Sequence, residues 1–179
     1  MPIYTYEYPR PALTVDIVIF SIRRDKLNVL LVQRGKEPYL GKWALPGGFV
    51  NIDESLVSAA ARELEEETGI EDVILKQLFT YGDPGRDPRG RVVTVSYYSI
   101  IHQDIHFQPG GGSDTKQAKW LQIDKLPPLA FDHEDILSCA LKTIRNNFKD
   151  TINEFDLLPV NPDSNSLQRL IDIIQGKKL

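Results

Sequence analysis

The run RELEEETG, residues 62 to 69, constrains the fold more than any other part of the chain, because it sets Glu63, Glu65, Glu66 and Glu67 within five consecutive positions. Just upstream, Val57, Ala60, Ala61 and Leu64 recur at three- and four-residue spacing, and this periodicity predicts a helix from about 54 to 68. Asn51, Asp53 and Ser55 are its candidate N-caps, and Gly69 is a suitable stop. At about 100° per residue, Glu66 lies roughly 60° to one side of Glu63 and Glu67 roughly 40° to the other, while Glu65 points about 160° away. Three carboxylates therefore share one face. A solvated acidic face normally recruits Lys or Arg four residues away, each pair worth about 0.2–0.5 kcal/mol. Here Glu63 has Ala59 and Glu67 at those distances, and only Arg62, four before Glu66, offers relief. Such a face works against its own helix until a cation occupies it. Mg²⁺ and Mn²⁺ suit it, since they prefer carboxylate and water oxygens, and Mg²⁺ typically takes a carboxylate or two together with substrate phosphates. Zinc and EF-hand chemistry do not fit: the only histidines are His102, His106 and His133, and no aspartate-rich loop surrounds a glycine.

The rest of the chain alternates strands and helices. ALTVDIVIFSI (12 to 22) and KLNVLLVQR (26 to 34) are β-rich runs joined at Arg23-Arg24-Asp25, which reads as a hairpin. GKWALPGGFV (41 to 50) is a short extended piece broken by Pro46-Gly47-Gly48. VILKQLFTYG (73 to 82) and RVVTVSYYSIIH (91 to 102) return to strand around the Gly/Pro/Arg loop GDPGRDPRG, and AKWLQI (118 to 123) follows PGGGSD (109 to 114). A helix is expected over roughly 131 to 148, with Ile136, Leu137, Ala140, Leu141 and Ile144 on one face. The fold class this implies is mixed α/β (α+β) with antiparallel hairpins. At 179 residues the chain suits one domain, 1–150, with an appendage, 151–179. In that appendage a linker-like LLPVNPDSNS precedes SLQRLIDIIQG (166 to 176), whose Leu167, Leu170, Ile171 and Ile174 form an amphipathic stripe. The stripe must be buried, against the main domain or a second subunit.

Charge and composition narrow the function. A formal net charge of −4 and a pI near 5.4 give no electrostatic footprint for a polyanion, so nucleic acid is disfavoured as a partner. Cys139, the single cysteine, sits in the apolar context ILSCAL and reads as a buried structural thiol. There is no basic leader with an apolar core and no apolar run of about 20 residues, so a cytoplasmic setting away from membranes is expected.

The stretch GFVNIDESLVSAAARELEEETGI, Gly48 to Ile70, resembles the Nudix box of the Nudix hydrolase superfamily. That pattern is a glycine, five residues, a glutamate, seven residues, then Arg-Glu-aliphatic-any-Glu-Glu-any-Gly-aliphatic. Gly48, Glu54, Arg62, Glu63, Leu64, Glu66, Glu67, Gly69 and Ile70 meet every fixed position. The resemblance extends from the hairpin near residue 14 to the helix near 148, and implies an α/β/α sandwich around a mixed sheet. By the same resemblance, Glu63 and Glu67 would be direct ligands of Mg²⁺ or Mn²⁺, with Glu66 a ligand or the residue orienting a bound water, and the Gly47 carbonyl a further ligand. Arg62 would hold the carboxylates in place and Glu54 would pair with Arg62. Gly47 and Gly48 lack side chains and admit close approach of a phosphate or metal, and Ala59 and Ala60 would leave room for a diphosphate. Glu66 is the first candidate general base and Asp114 the second.

The substrate class implied is a nucleoside diphosphate linked to another moiety. YGDPGRDPRGRVV (81 to 93) is similar to the loop of ADP-ribose pyrophosphatases and of Nudix-related transcriptional regulators of NAD metabolism. Arg86, Arg89 and Arg91 there have planar forks suited to phosphate or ribose, against the plain reading of an exposed turn. Tyr81 and Tyr98 could stack on a base, although aromatics beside strands are more often core. Gly110-Gly111-Gly112 reads as a flexible loop. In LAFDHEDI (129 to 136), Asp132 and His133 are expected to cap the last helix. ADP-ribose hydrolysis to AMP and ribose 5-phosphate is thus the leading expectation, with hydrolysis of oxidised nucleoside triphosphates as an alternative. Regulators carry a C-terminal winged helix, whose beginning the tail resembles; the intact box and the end of the sequence at Leu179 favour enzyme over DNA-binding sensor. A homodimer is expected, as in many relatives. Glu67→Gln should lower metal-dependent hydrolysis by orders of magnitude with the fold retained, and Glu65→Gln should change it little; equal losses in a steady-state assay would mean that the face is wrongly assigned.

Overall fold

The computed structural model describes residues 6–101, 115–150 and 164–177. β1 (Ala12–Arg23) is the strand around which the sheet assembles. It turns through Arg24 and Asp25, at φ 50° and 57°, into antiparallel β2 (Lys26–Arg34). Positive φ at both loop positions is what a two-residue hairpin needs to match strand twist. On its other side β1 runs parallel to β6 (Val92–Ile101), and its first half also pairs with the short β4 (Gly47–Phe49). The strand order is β3-β2-β1-β6-β5, where β3 is Trp43–Ala44 and β5 is Lys76–Tyr81; β7 (Thr115–Gln122) joins β2. One parallel pairing among antiparallel ones makes the sheet mixed, as expected.

Both faces of β1 are apolar, so both must be covered. Val15, Ile17 and Ile19 face α1 (Leu56–Thr68), packing with Ala59, Ala60 and Leu64; Val18 and Phe20 face α2 (His133–Asp150), packing with Ile136, Ala140 and Ile144. This period-two division gives a helix layer on each side of the sheet, the α/β/α sandwich. Ser55 caps α1 by accepting the Ser58 N–H at 3.2 Å, and Gly69 ends it at φ 70°.

The α1 stripe differs in phase from its expected position. Ala59, Ala60, Leu64 and Thr68 are buried, while Val57 is 48 % exposed and Ala61 is exposed. Ala59 and Ala60 thus do not border an open diphosphate site; their small side chains let α1 sit close against the sheet. Cys139 is half-buried rather than buried, beside Tyr81, whose hydroxyl pKa is raised by burial and by that thiol.

α3 (Ser164–Ile174) lies on the α2 face. Ile173 and Ile174 enter the core there, Arg145 Nε donates to the Ile174 carbonyl at 3.0 Å, and Arg169 meets Asp25 of the hairpin at 2.7 Å. The amphipathic tail is therefore buried on the main body of the same chain. Of the linker-like LLPVNPDSNS, residues 157 to 163 lie outside the described residues, as do Gly110-Gly111-Gly112 and Asp114, whereas Ser164, Asn165 and Ser166 are not linker but the first turn of α3. Among the described residues no helix is long and apolar enough to cross a membrane. Because Ile174 is fully buried, Ile174→Ala should cost about 2–5 kcal/mol in urea unfolding; a change under about 0.5 kcal/mol, the size expected at a surface site, would remove α3 from the core.

Candidate functional site

A strap leading into β4 carries the backbone side of the site. Leu45 donates its N–H to His133 Nδ1 at 2.9 Å, the Pro46 carbonyl accepts from Ile17 N–H at 2.8 Å, and Gly47 donates to Glu67 Oε2 at 3.0 Å. A Cβ on Gly47 would stand 2.2 Å from the Val15 carbonyl oxygen, and one on Gly48 would stand 2.4 Å from the Glu63 carboxylate. Contact with the β1 backbone therefore requires glycine at 47, while a Cβ at 48 would push the Glu63 carboxylate aside: the strap lies directly beneath the acidic face of α1.

On that face Arg62 gathers the anions. Its Nε and Nη2 reach the two Glu54 oxygens at 3.0 and 2.7 Å, Nη1 reaches Glu63 at 2.8 Å and Glu66 at 3.4 Å, and Nη2 also donates to the Phe49 carbonyl at 3.1 Å. Glu54 further accepts the Asn51 N–H at 2.7 Å. The Arg62 fork, followed by that N–H, holds the Glu54 carboxyl down at about 2. Glu63 is shifted the other way: burial, with Glu66 and Glu54 adding to it, outweighs Arg62 and raises its pKa. A carboxylate whose charged form is disfavoured by its surroundings gains from an added cation.

Glu63, Glu66 and Glu67 line one cleft of about 400 Å³, a size that accommodates a small ligand, and Glu65 does not line it. The rotation read from the sequence is thus the one found. Among the described residues no three carboxylate, imidazole or thiol groups meet in a ready metal geometry; Arg62 and the Gly47 N–H hold the oxygens instead. The donor chemistry nevertheless fits Mg²⁺ or Mn²⁺: hard carboxylate oxygens, one of them poorly compensated, beside the half-buried Gly47-Gly48 backbone.

The arginines of the 82–91 loop separate. Arg86 lines the cleft, but its side chain is 5 % exposed and its fork is spent on Asp132, at 2.7 and 2.6 Å, with Asp16 at 3.5 Å. Arg89 lines the cleft and is held by Asp87 at 2.6 Å. Arg91 and Tyr81 do not line it: Arg91 donates to the Gly82 carbonyl, and Tyr81 packs on the α2-side core, where Tyr98 is also buried. Asp132 immediately precedes α2, its carbonyl accepting the Ile136 N–H at 3.3 Å, but its carboxylate is held by Arg86, and the His133 ring, at the first position of the helix, is a cross-link. His133 Nδ1 accepts from Leu45, which leaves Nε2 to face Asp16 Oδ1 at 3.3 Å. Asp16, Arg34, Lys36 and Phe131 also line the cleft and were not singled out by the sequence. Of these only Asp16 carried a signal, a lone carboxylate inside an otherwise apolar strand.

Residues 11–138 match the model of the NUDIX domain, and the chain belongs to that family. The chain is similar to proteins of more than one kind. It is 37% identical over 177 residues to the ADPR responsive transcriptional repressor NtrR of Acinetobacter baylyi, covering 97% of this chain and 70% of that one. It is 39% identical over 130 residues to an ADP-ribose pyrophosphatase of Methanocaldococcus jannaschii, covering 73% of each. Among solved structures, the NUDIX domain of Shewanella oneidensis NrtR complexed with ADP ribose superposes with a TM-score of 0.72 at 38% identity, covering 76% of this chain and 90% of that one.

Because the folded pKa of Glu54 is lowered, its pairing stabilises fully above the ordinary value of 4.5 and is lost as pH falls toward about 2. Carboxyl-detected NMR should place its midpoint near 2 and move it toward 4.5 in Arg62→Met; an unmoved midpoint would mean that Arg62 is not the cause.

Proposed function

We propose that the chain is a divalent-metal-dependent pyrophosphohydrolase that cleaves ADP-ribose to AMP and ribose 5-phosphate. The observation that carries this reading is the joining, in one cleft, of the three glutamates of α1 and the basic side chains of Arg34, Lys36 and Arg89. An acidic wall facing a basic one suits a diphosphate that arrives with its own cations, and neither wall alone does. Relatives that hydrolyse or respond to ADP-ribose supply the substrate class.

In this reading Glu63 and Glu67 hold Mg²⁺ or Mn²⁺ with the Gly47 backbone. The bound ion would neutralise the diphosphate and lower the pKa of a water beside it. Arg62, braced by Glu54, fixes the direction of Glu63 and keeps Glu66 within reach. Glu66 is 55 % exposed and tied only by a 3.4 Å contact, so it is the carboxylate free to turn toward a water and take its proton. Gly48 keeps the floor low enough for the phosphates to pass. The 1–150 domain would carry this chemistry, with the 151–179 extension bracing α2 through α3. A homodimer fits the exposed edge strand β5, whose Phe79 is 59 % exposed, and a cytoplasmic setting fits a nucleotide substrate.

A second reading, an ADP-ribose-responsive DNA-binding regulator, is favoured by one observation: the likeness to the repressor runs over 97% of the chain, through α3. Product analysis on a nucleotide panel with Mg²⁺ separates these. The expected result is AMP and ribose 5-phosphate in equal amounts from ADP-ribose. Turnover of triphosphates alone would overturn the substrate, and no turnover together with tight, ADP-ribose-sensitive DNA binding would establish the regulator instead.

A further inference from the structure

Between β3 and β4 the chain crosses through Leu45 and Pro46, and Pro46 has no N–H to give. The N–H groups on either side of it are both donated to side chains, Leu45 to His133 Nδ1 at 2.9 Å and Gly47 to Glu67 Oε2 at 3.0 Å. The strap is therefore held from both helix layers, at one residue by α2 and two residues later by a carboxylate of α1. Leu45 is buried, so without the imidazole its N–H would lose its partner away from water, and the strap would have to move to find another.

The other edge of the imidazole is engaged as well. Nε2 faces Asp16 Oδ1 at 3.3 Å, and Asp16 is the cross-strand partner of Gly47. The ring itself is buried and packs, tilted, on Phe131 at 5.2 Å between centroids. This one position must accept from Leu45 and present a donor to Asp16, and a neutral imidazole with its proton on Nε2 does both across a single rigid ring. Asp16 thereby fixes the tautomer that leaves Nδ1 free to accept.

We propose that His133 is a positioning residue for the cation end of the cleft: by accepting from Leu45 it fixes where the Gly47 backbone stands against Glu67. This rests on the metal-dependent reading above and adds to it a residue of α2, outside the acidic helix, on which ion affinity depends. A strap released at Leu45 carries Gly47 with it. Because Gly47 holds Glu67, the backbone and carboxylate sides of the site then lose their alignment together. Groups that orient ligands from behind in this way govern affinity without touching the ion.

Two substitutions separate the two edges of the ring. His133→Asn keeps an amide oxygen near the place of Nδ1 and falls short of Asp16; His133→Gln carries an amide nitrogen toward the place of Nε2 and leaves Leu45 without its acceptor. Mn²⁺ titration of the full chain without nucleotide, followed by electron paramagnetic resonance, is the primary readout, with ADP-ribose kinetics in parallel. His133→Gln should weaken Mn²⁺ binding about tenfold or more and lower kcat with KM changed less than about threefold, part of the rate returning at high Mn²⁺. His133→Asn should stay within about threefold of the parent in Mn²⁺ affinity. Ile174→Ala, which loosens α3 on α2 and does not line the cleft, should leave that affinity as it is. Nitrogen NMR of the parent should show His133 protonated on Nε2, with a coupling across the hydrogen bond from the Leu45 nitrogen to Nδ1, and this decides the matter if His133→Gln fails to fold. A proton on Nδ1, unchanged affinity in His133→Gln, or equal losses in His133→Asn or Ile174→Ala, would overturn the assignment. Weakened Mn²⁺ binding in the Gln variant of a chain that turns over no nucleotide would remove the hydrolytic reading and leave the assignment standing; turnover with an affinity indifferent to His133 would do the reverse, and no Mn²⁺ binding by the parent would overturn both.

Discussion

Arg62 is the interaction on which the site depends. One guanidinium touches both oxygens of Glu54, one each of Glu63 and Glu66, and the Phe49 carbonyl. A planar fork with five donors can do this, and the compact ammonium of a lysine cannot. Without it the acidic face of α1 would be an uncompensated cluster on a short helix. With it the carboxylates are aligned but not neutralised, since Glu63 still has its charge disfavoured by burial and its acidic neighbours. That residual imbalance is the physical reason a further cation would be favoured in the proposed site.

The same residues tie the site to the fold. Gly47 and Gly48 lie in β4, paired to the first half of β1; a Cβ on Gly47 would meet the β1 backbone and one on Gly48 would displace the Glu63 carboxylate. His133, at the start of α2, holds the strap at Leu45 and faces Asp16 on β1; Arg86 from the loop before β6 joins Asp16 to Asp132. Elements from both helix layers thus converge on one end of the sheet. The cleft at that end is lined by residues of both signs, Glu63, Glu66 and Glu67 with Arg62 from α1, and Asp16, Asp87, Arg86 and Arg89 from β1 and the loop before β6.

Much of this was legible in the sequence, for identifiable reasons. The hydrophobic alternation of residues 12 to 34 set two strands and their hairpin, and the angular spacing of Glu63, Glu66 and Glu67 set which carboxylates face the cleft. Helical phase was less well determined on the apolar side, because Ala59, Ala60 and Ala61 are interchangeable to a periodicity argument and only contact with the sheet selects among them. Loop arginines were least legible: Arg86 finds its partner 46 positions away in Asp132, a distance over which sequence carries no pairing signal. Asp132 and His133 illustrate the same limit: both stand at the start of α2 as expected, but their side chains are taken up by long-range partners. Phe49 ends β4 and Phe131 lies in the turn before α2, and only the fold brings both to Arg89.

The central claim is that the α1 face is a cation seat completed by the strap beneath it. Crystals grown with Mn²⁺ and a non-hydrolysable ADP-ribose analogue, and measured at the manganese absorption edge, test it directly. The account expects an anomalous peak within coordinating distance of Glu63, Glu67 and the Gly47 backbone, with Arg62 still on Glu54. A peak elsewhere, or a bound analogue with no ion at that face, would contradict it.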